Sequence, residues 1–144
     1  MATRLGWHRL LVGAALAVAG ACGATTTPTT PTTPSAPANT TDTFQGTLGQ
    51  TGSINHIFAV AANGTVTVSL TTVTPLSTMS LGVAVSTSDG TSCLTPITQN
   101  SDARAGSVAL TGTATTGNYC VRVYDSGNIP PSTDVSYTLQ IVHP

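Results

Sequence analysis

Lysine and glutamate are both absent from the 144-residue chain, and charged residues make up only 6% of it. The four basic residues are all Arg and the five acidic residues are all Asp, so the net charge is −1. Helices rely on Glu, Lys and Ala for their exposed faces, whereas this chain uses Thr, Ser, Gly and Asn, a composition that favours β structure. Chemistry that needs a Lys nucleophile or a Glu base is excluded, and the weak charge gives no electrostatic attraction for nucleic acid.

A short apolar segment follows two basic residues at the N-terminus. Arg4 and Arg9 precede residues 10–21, whose sequence LLVGAALAVAGA is uncharged and about a dozen residues long. A membrane-spanning helix needs about 20 apolar residues, so this segment is typical of the hydrophobic region of a signal peptide. We therefore predict that residues 1–21 are a signal peptide and that the protein is exported.

The apolar segment ends in small residues followed by a cysteine. Residues 19–22, Ala-Gly-Ala-Cys, resemble the lipobox of bacterial lipoproteins, with Ala19 where Leu is usual. The resemblance implies cleavage before Cys22, attachment of diacylglycerol to its thiol, and anchoring of the protein to the bacterial membrane or cell surface. The alternative is an ordinary secretory signal cleaved after Ala21 or Ala24, in which case Cys22 is not modified.

Residues 22–41 have the composition of a linker. From 23 to 41 the sequence is GATTTPTTPTTPSAPANTT, which contains no charge and no large apolar side chain. Such a segment cannot bury enough surface to offset the entropy lost on ordering, and its prolines favour extended geometry. The sequence therefore predicts a disordered, lipid-anchored linker that holds the next domain away from the membrane.

The rest of the chain, residues 42–144, alternates apolar and polar residues in short segments. In residues 65–71, for example, apolar residues alternate strictly with Thr and Ser. A period of two is typical of an antiparallel sheet with one packed face, and Asn63-Gly64 and Asp89-Gly90 are turn signals between such strands. The segments predicted as strands are residues 43–48, 54–61, 65–72, 79–86, 107–111, 118–125 and 135–142. About seven to eight strands in about 100 residues predict an all-β domain, a small antiparallel β-sandwich.

Two cysteines, Cys93 and Cys120, lie in this domain. A lone pair of cysteines in an exported chain usually forms a disulfide, which we predict here. Cys120 is out of phase with the inward residues Tyr119 and Val121, so we expect it on the non-core face of its strand, whereas Cys93 is predicted in the loop after residues 79–86. A catalytic or metal-binding thiol is the alternative, although no C-x-x-C motif accompanies it.

Five of the segments share a further pattern. They are FQGTL at 44–48, HIFAV at 56–60, GTVTVSL at 64–70, GNYCVRV at 117–123 and YTLQI at 137–141. Together they resemble the bacterial pre-peptidase C-terminal domain over nearly all of residues 43–143. The resemblance implies a small jelly-roll-like β-sandwich on a secreted protein, often beside a protease. The acidic motif usual in the middle of that family is replaced here by Ser-Leu-Gly-Val at 80–83, so a calcium or partner role tied to that motif does not transfer.

Candidate catalytic and metal-binding groups are sparse. His56 is predicted to face the sheet interior near its edge, and His143, the penultimate residue, to lie in a frayed end. A Ser/His/Asp triad would combine His56 with one of the many serines and Asp125 or Asp134, but no G-x-S-x-G elbow presents a nucleophile. Loop aspartates commonly serve turns and can also bind Ca²⁺, and turn roles are favoured here. The aspartates predicted in loops are Asp89, Asp102, Asp125 and Asp134.

The function predicted from the sequence is that of a non-catalytic exported lipoprotein, which displays a small β-sandwich as a binding or accessory module at the cell envelope. Its expected partners are the membrane, through the lipid on Cys22, and a protein or polysaccharide of the envelope. No cofactor and no nucleic-acid partner are expected. The alternatives are a carbohydrate-binding module and a secreted hydrolase with an unrecognised site. Sugar binding needs an exposed aromatic ring, and Tyr124 is the one tyrosine predicted on an outward face, because Tyr119 and Tyr137 are predicted in the core.

Overall fold

Strands account for the regular structure of the described part of the chain, which in this computed structural model comprises residues 35–144. The strands are β1 (Thr40–Leu48), β2 (Ser53–Val60), β3 (Gly64–Thr74), β4 (Ser80–Ser88), β5 (Cys93–Arg104), β6 (Ser107–Ala114), β7 (Gly117–Tyr124) and β8 (Val135–His143). Within residues 35–144, no helix has the length and apolarity needed to cross a membrane. The predicted signal peptide, the lipobox with Cys22 and the linker up to residue 34 lie outside the described residues.

Alternating side chains give each strand one buried face. In β8, the side chains of Val135, Tyr137, Leu139 and Ile141 are buried, while the residues between them are half-buried or exposed. The buried faces form a core that is mostly valine and leucine because aromatic residues are few. Its largest fully buried side chains are Leu48, Leu70, Leu81, Leu139, Ile141, Val60, Val68, Val73, Val83, Val121, Val123 and Val135. Burial of each such side chain contributes about 1.5–3 kcal/mol, so this core is the main attraction between the two layers.

The strand pairing is that of a jelly roll. Sheet A has the order β1-β8-β3-β6 and sheet B the order β2-β7-β4-β5. The first strand therefore pairs with the last, the second with the seventh, the third with the sixth and the fourth with the fifth, all antiparallel. The predictions of an all-β fold and of a small antiparallel β-sandwich are confirmed, and the strand order is that of the eight-stranded double-sheet jelly roll.

The two ends of the sandwich hold different segments. The chain enters β1 at Thr40, opposite His143 of β8, so the linker and the C-terminus meet at one end, which we call the proximal end. Because neighbouring strands are antiparallel, the connections β1–β2, β3–β4, β5–β6 and β7–β8 all lie at the opposite, distal end. The loops that follow odd-numbered strands are therefore the ones farthest from the linker.

Strand β5 is the one strand that the sequence pattern does not predict. Its residues are almost all exposed, so it shows no alternation, and it contains Pro96. It lies at the edge of sheet B, where a missing backbone N–H is tolerated, and three register shifts interrupt its pairing with β4. The predictions for Cys93 and Asp102 were wrong in one respect, because both residues lie in β5 and not in loops.

His143 is buried, which contradicts the prediction of a frayed end. Only 4% of the residue is exposed, and its Nε2 lies 3.1 Å from Oδ2 of Asp42 in β1. The carbonyl of Pro144 accepts a hydrogen bond from the amide of Ala61 at 3.1 Å. A chain terminus that is held by such contacts does not fray. These contacts lie beside the first residues of β1. The strand begins at Thr40, two residues before the predicted start of the domain.

A cluster of ring side chains connects the sheets where β1 faces β2. His56 faces the interior, as predicted, and its Nε2 lies 2.7 Å from the Tyr137 hydroxyl. The His56 ring also stacks on Phe44, with centroids 4.8 Å apart. Tyr137 lies opposite Gly46 in the β1–β8 ladder, and a side chain at Gly46 would collide with the tyrosine ring. Burial lowers the pKa of His56 and raises the pKa of Tyr137 to about 12, so both groups are neutral at neutral pH.

We expect the free energy of unfolding to decrease as the pH falls below about 6.5. The pKa of His56 is lowered from its ordinary value of 6.5 in the folded protein, so the unfolded chain takes up the proton first. Stability that is present above this pH is therefore lost during acidification toward the lowered pKa. Urea titrations at about pH 7.5 and about pH 5.5 measure the loss. The loss should be smaller in His56→Gln, which does not titrate there; an equal loss in both proteins would contradict the assignment, because they share all other titrating groups.

Candidate functional site

The outer face of sheet B contains a groove above strand β4. The β4 residues that alternate with the core residues Leu81 and Val83 are small, namely Gly82, Ala84 and Ser86. Small side chains leave space between the longer side chains of the neighbouring strands. The space is about 370 Å³ in the distal part of the groove and about 180 Å³ where it continues toward the proximal end. The distal part falls within the range of small-molecule sites, roughly 300–1,000 Å³.

Strands β7 and β5 provide the walls of the groove. On β7, Arg122 and Tyr124 point outward because their neighbours in the strand face the core. On β5, Pro96 and Gln99 border the opposite side. Cationic, aromatic, apolar and amide groups therefore line the same space, so the groove suits a ligand that is partly apolar and partly hydrogen-bonding.

Tyr124 is positioned by a glycine. Gly82 of β4 lies opposite Tyr124 in the β4–β7 ladder, and the phenol ring occupies the space that a side chain at Gly82 would need. The ring is half-buried against the sheet and borders the groove. The prediction of an outward Tyr124 is confirmed, and Tyr119 and Tyr137 are buried in the core as predicted.

Arg122 is the basic side chain of the groove. Its Nη2 donates a hydrogen bond to the hydroxyl of Ser53 at 3.2 Å, and the residue is exposed. A guanidinium group has five N–H donors in a planar fork. One bond to Ser53 therefore orients the side chain while further donors remain for a ligand.

Asp125 lies at the distal end of the groove. Its Oδ2 accepts a hydrogen bond from the amide of Thr51 at 2.9 Å, and its Oδ1 accepts from the amides of Gly127, Asn128 and Ile129 at 2.9, 2.9 and 3.1 Å. Burial alone would raise the pKa of Asp125, but these four donors bring it below its ordinary value. The carboxylate joins the β1–β2 turn to the β7–β8 loop, which is the turn role predicted for it.

Other aspartates have local partners as well. Asp89 accepts hydrogen bonds from the amides of Thr91 and Ser92 within its own turn. Asp102 pairs with Arg104 at 3.0 Å on the exposed surface of β5. Among the described residues, no group of three or more His, Cys or Asp side chains is placed to hold a metal ion.

The Ser/His/Asp triad considered from the sequence is not assembled in residues 35–144. His56 lies inside the sandwich with Nε2 bonded to Tyr137, whereas Asp125 bonds backbone amides at the distal end. The second histidine of this part of the chain, His143, pairs with Asp42 at the proximal end. Both histidines therefore have structural partners away from the groove.

A disulfide lies at the proximal end of the groove. Cys93 of β5 is bonded to Cys120 of β7, as predicted, with Cα atoms 5.3 Å apart. Because β4 lies between these two strands, the start of β5 must bend over the outer face to reach β7. Cys120 is fully buried for this reason, although it lies on the non-core face, and Ser86 opposite it is buried too. The bond closes one end of the groove.

Comparison with known proteins assigns no family to the chain: no protein-family model and no curated protein matches it. The fold and the groove define the structural class of the protein. It is a jelly-roll β-sandwich with an amphiphilic groove on one outer face. The resemblance of residues 43–143 to the pre-peptidase C-terminal domain stays a prediction from the sequence motifs.

Loss of the disulfide should lower the free energy of unfolding by up to about 3.6 kcal/mol, the loop-closure value for cysteines 27 residues apart. Urea denaturation of the oxidised protein, the reduced protein and the Cys93→Ala/Cys120→Ala variant measures the loss. Reducing agent should destabilise the wild-type protein and leave the double variant unchanged. Equal stability of the oxidised and reduced wild-type proteins would show that the bond does not stabilise the fold.

Gly82→Ala should lower the free energy of unfolding by about 1–3 kcal/mol, because the added methyl group collides with the Tyr124 ring. In the Tyr124→Ala background the same substitution should cost much less, since the ring is gone. A double-mutant cycle on unfolding free energies measures this coupling. Additive effects of the two substitutions would contradict the contact.

Proposed function

We propose that this protein is a non-catalytic bacterial lipoprotein, anchored through lipid on Cys22, that displays its jelly-roll domain at the cell envelope as a binding module. The observation on which this rests is the disulfide between Cys93 and Cys120. Structural disulfides persist in oxidising compartments outside the cytoplasm and are rare within it. Export agrees with the signal-peptide pattern of residues 1–21.

The geometry of the domain suits a tethered module. The linker enters at Thr40 at the proximal end, while the wider part of the groove lies beside Thr51 and Asp125 at the distal end. Cys22 precedes Thr40 by 18 residues (40 − 22). At about 3.1 Å per residue, a linker of that length in extended geometry reaches roughly 55 Å. In the anchored protein a linker of this reach allows the domain, and with it the groove, to contact polymers of the envelope.

The family resemblance agrees with an accessory role. The motifs within residues 43–143 are similar to those of pre-peptidase C-terminal domains, which are jelly-roll-like sandwiches on secreted proteins. The observed strand order is a jelly roll as well. We infer that the domain acts by holding a partner at the envelope and not by converting it.

Intact-mass spectrometry of the protein purified from bacterial membranes should show a chain that begins at Cys22 and bears a diacylglycerol adduct. Cys22→Ser should lack the adduct and be lost from the membrane fraction, because the thiol is the attachment point. The Cys93→Ala/Cys120→Ala variant is the matched control and should keep both the adduct and the membrane location. A mature chain that begins elsewhere and bears no lipid would rule out the anchor.

A further inference from the structure

We propose that the groove on sheet B binds a chain of pyranose sugars, with Tyr124 as the stacking surface and with Arg122 and Gln99, on opposite walls of the groove, as hydrogen-bonding groups. The inference rests on the proposed binding function and names the ligand class. The envelope polysaccharide that meets this chemistry is a glycan of neutral hexoses or of uronic acids, since both present the same ring.

Tyr124 supplies the apolar surface that a sugar needs. A pyranose ring has faces of C–H groups that pack on an aromatic ring, and a rim of hydroxyl groups that require hydrogen-bond partners. Because Gly82 has no side chain, the Tyr124 ring packs directly against the sheet, so its position is set without a ligand. Little side-chain entropy is therefore lost on binding. Tyr124 is also the one aromatic residue among those that line the groove.

Polar groups lie in the cross-strand row next to the ring, on the proximal side of Tyr124. Arg122 lies two residues before Tyr124 on the same face of β7, and Asn55 lies opposite Arg122 on β2. Gln99 faces them from β5. Guanidinium and amide N–H groups donate to hydroxyl or carboxylate oxygens, and the amide oxygens accept from hydroxyl groups. This set can pair with the hydroxyl groups of a sugar ring, each of which both donates and accepts hydrogen bonds.

The groove is shaped for a chain and not for a single ring. Its distal part and its proximal continuation share Ala84, Pro96 and Arg122, so they form one continuous track along β4. The disulfide end is closed and the Asp125 end lies at the distal rim. Successive sugar units can therefore occupy the track from the rim inward.

Two other polymers fit the groove less well. A peptide that binds by strand addition needs an exposed strand edge, whereas this groove lies on the face of a sheet. A nucleic acid requires several cations along its backbone, and the residues lining the groove include one arginine and the carboxylate of Asp125. A neutral or singly charged sugar unit needs neither a strand edge nor several cations for binding.

Calorimetric titration of the purified protein tests the proposal with three probes: cellohexaose, mannohexaose and hexagalacturonic acid. At least one probe should bind with a Kd below about 1 mM. Tyr124→Ala should weaken that binding by at least about tenfold, while Tyr124→Phe, which keeps the ring, should stay within about threefold. Preferential binding of hexagalacturonic acid that Arg122→Ala abolishes would identify an acidic glycan; binding of the neutral probes would identify a neutral one.

The matched control uses two exposed glutamines on opposite sheets. Gln99→Ala in the groove should weaken binding by several-fold, whereas Gln140→Ala on β8 of sheet A should leave it unchanged. Thermal unfolding of each variant verifies that the fold is retained. Binding of none of the three probes, or binding unaffected by Tyr124→Ala, overturns the proposal. Lipid on Cys22 is measured separately, so an anchored protein that binds no glycan would refute this inference and leave the lipoprotein assignment standing.

Discussion

The two-residue period of the strands is the constraint on which the rest of the structure depends. A slip of one residue in β7 would move Val121 and Val123 into solvent and Arg122 into the core, so the register is strongly specified. The same register places Arg122 and Tyr124 side by side on the outer face. The groove is therefore a direct consequence of core packing, and any change that shifts the core register of sheet B also dismantles the groove.

Two cross-strand pairs of glycine and tyrosine place one ring inside the sandwich and the other on its outer face. Gly46 lies opposite Tyr137 in sheet A, and Gly82 lies opposite Tyr124 in sheet B. In each pair the ring fills the space that a side chain on the glycine would occupy, which compensates for the poor strand preference of glycine. One ring reaches inward to His56, and the other forms a wall of the groove. A chain with few aromatic residues thus uses each tyrosine at a defined position.

Of the four edge strands, β5 and β6 depart most from the alternation. β5 contains Pro96 and register shifts, which are features that discourage pairing with another chain, and the bond between Cys93 and Cys120 attaches its start to β7. In β6, strict alternation would turn Val108 and Leu110 inward, but Val108 is 58% exposed and Ala109 is buried instead. The β3–β6 ladder shifts its register beside these residues, so a simple period of two does not describe them. A neighbour on only one side leaves room for such irregularities, although the edge strands β1 and β2 keep the alternation.

The sequence by itself determined the all-β class, seven of the eight strands and the face on which each tyrosine lies, because alternation and turn residues are properties of chain neighbours. Alternation specifies which face of a strand is buried, but it does not specify which strand lies beside it. Only the tertiary structure decided that Gly82 lies beneath Tyr124 and that the disulfide closes one end of the groove. It also decided that His143 is buried against Asp42, 101 residues earlier in the chain. Contacts of this kind depend on which strands become neighbours, and that choice is made by the packing of the whole core.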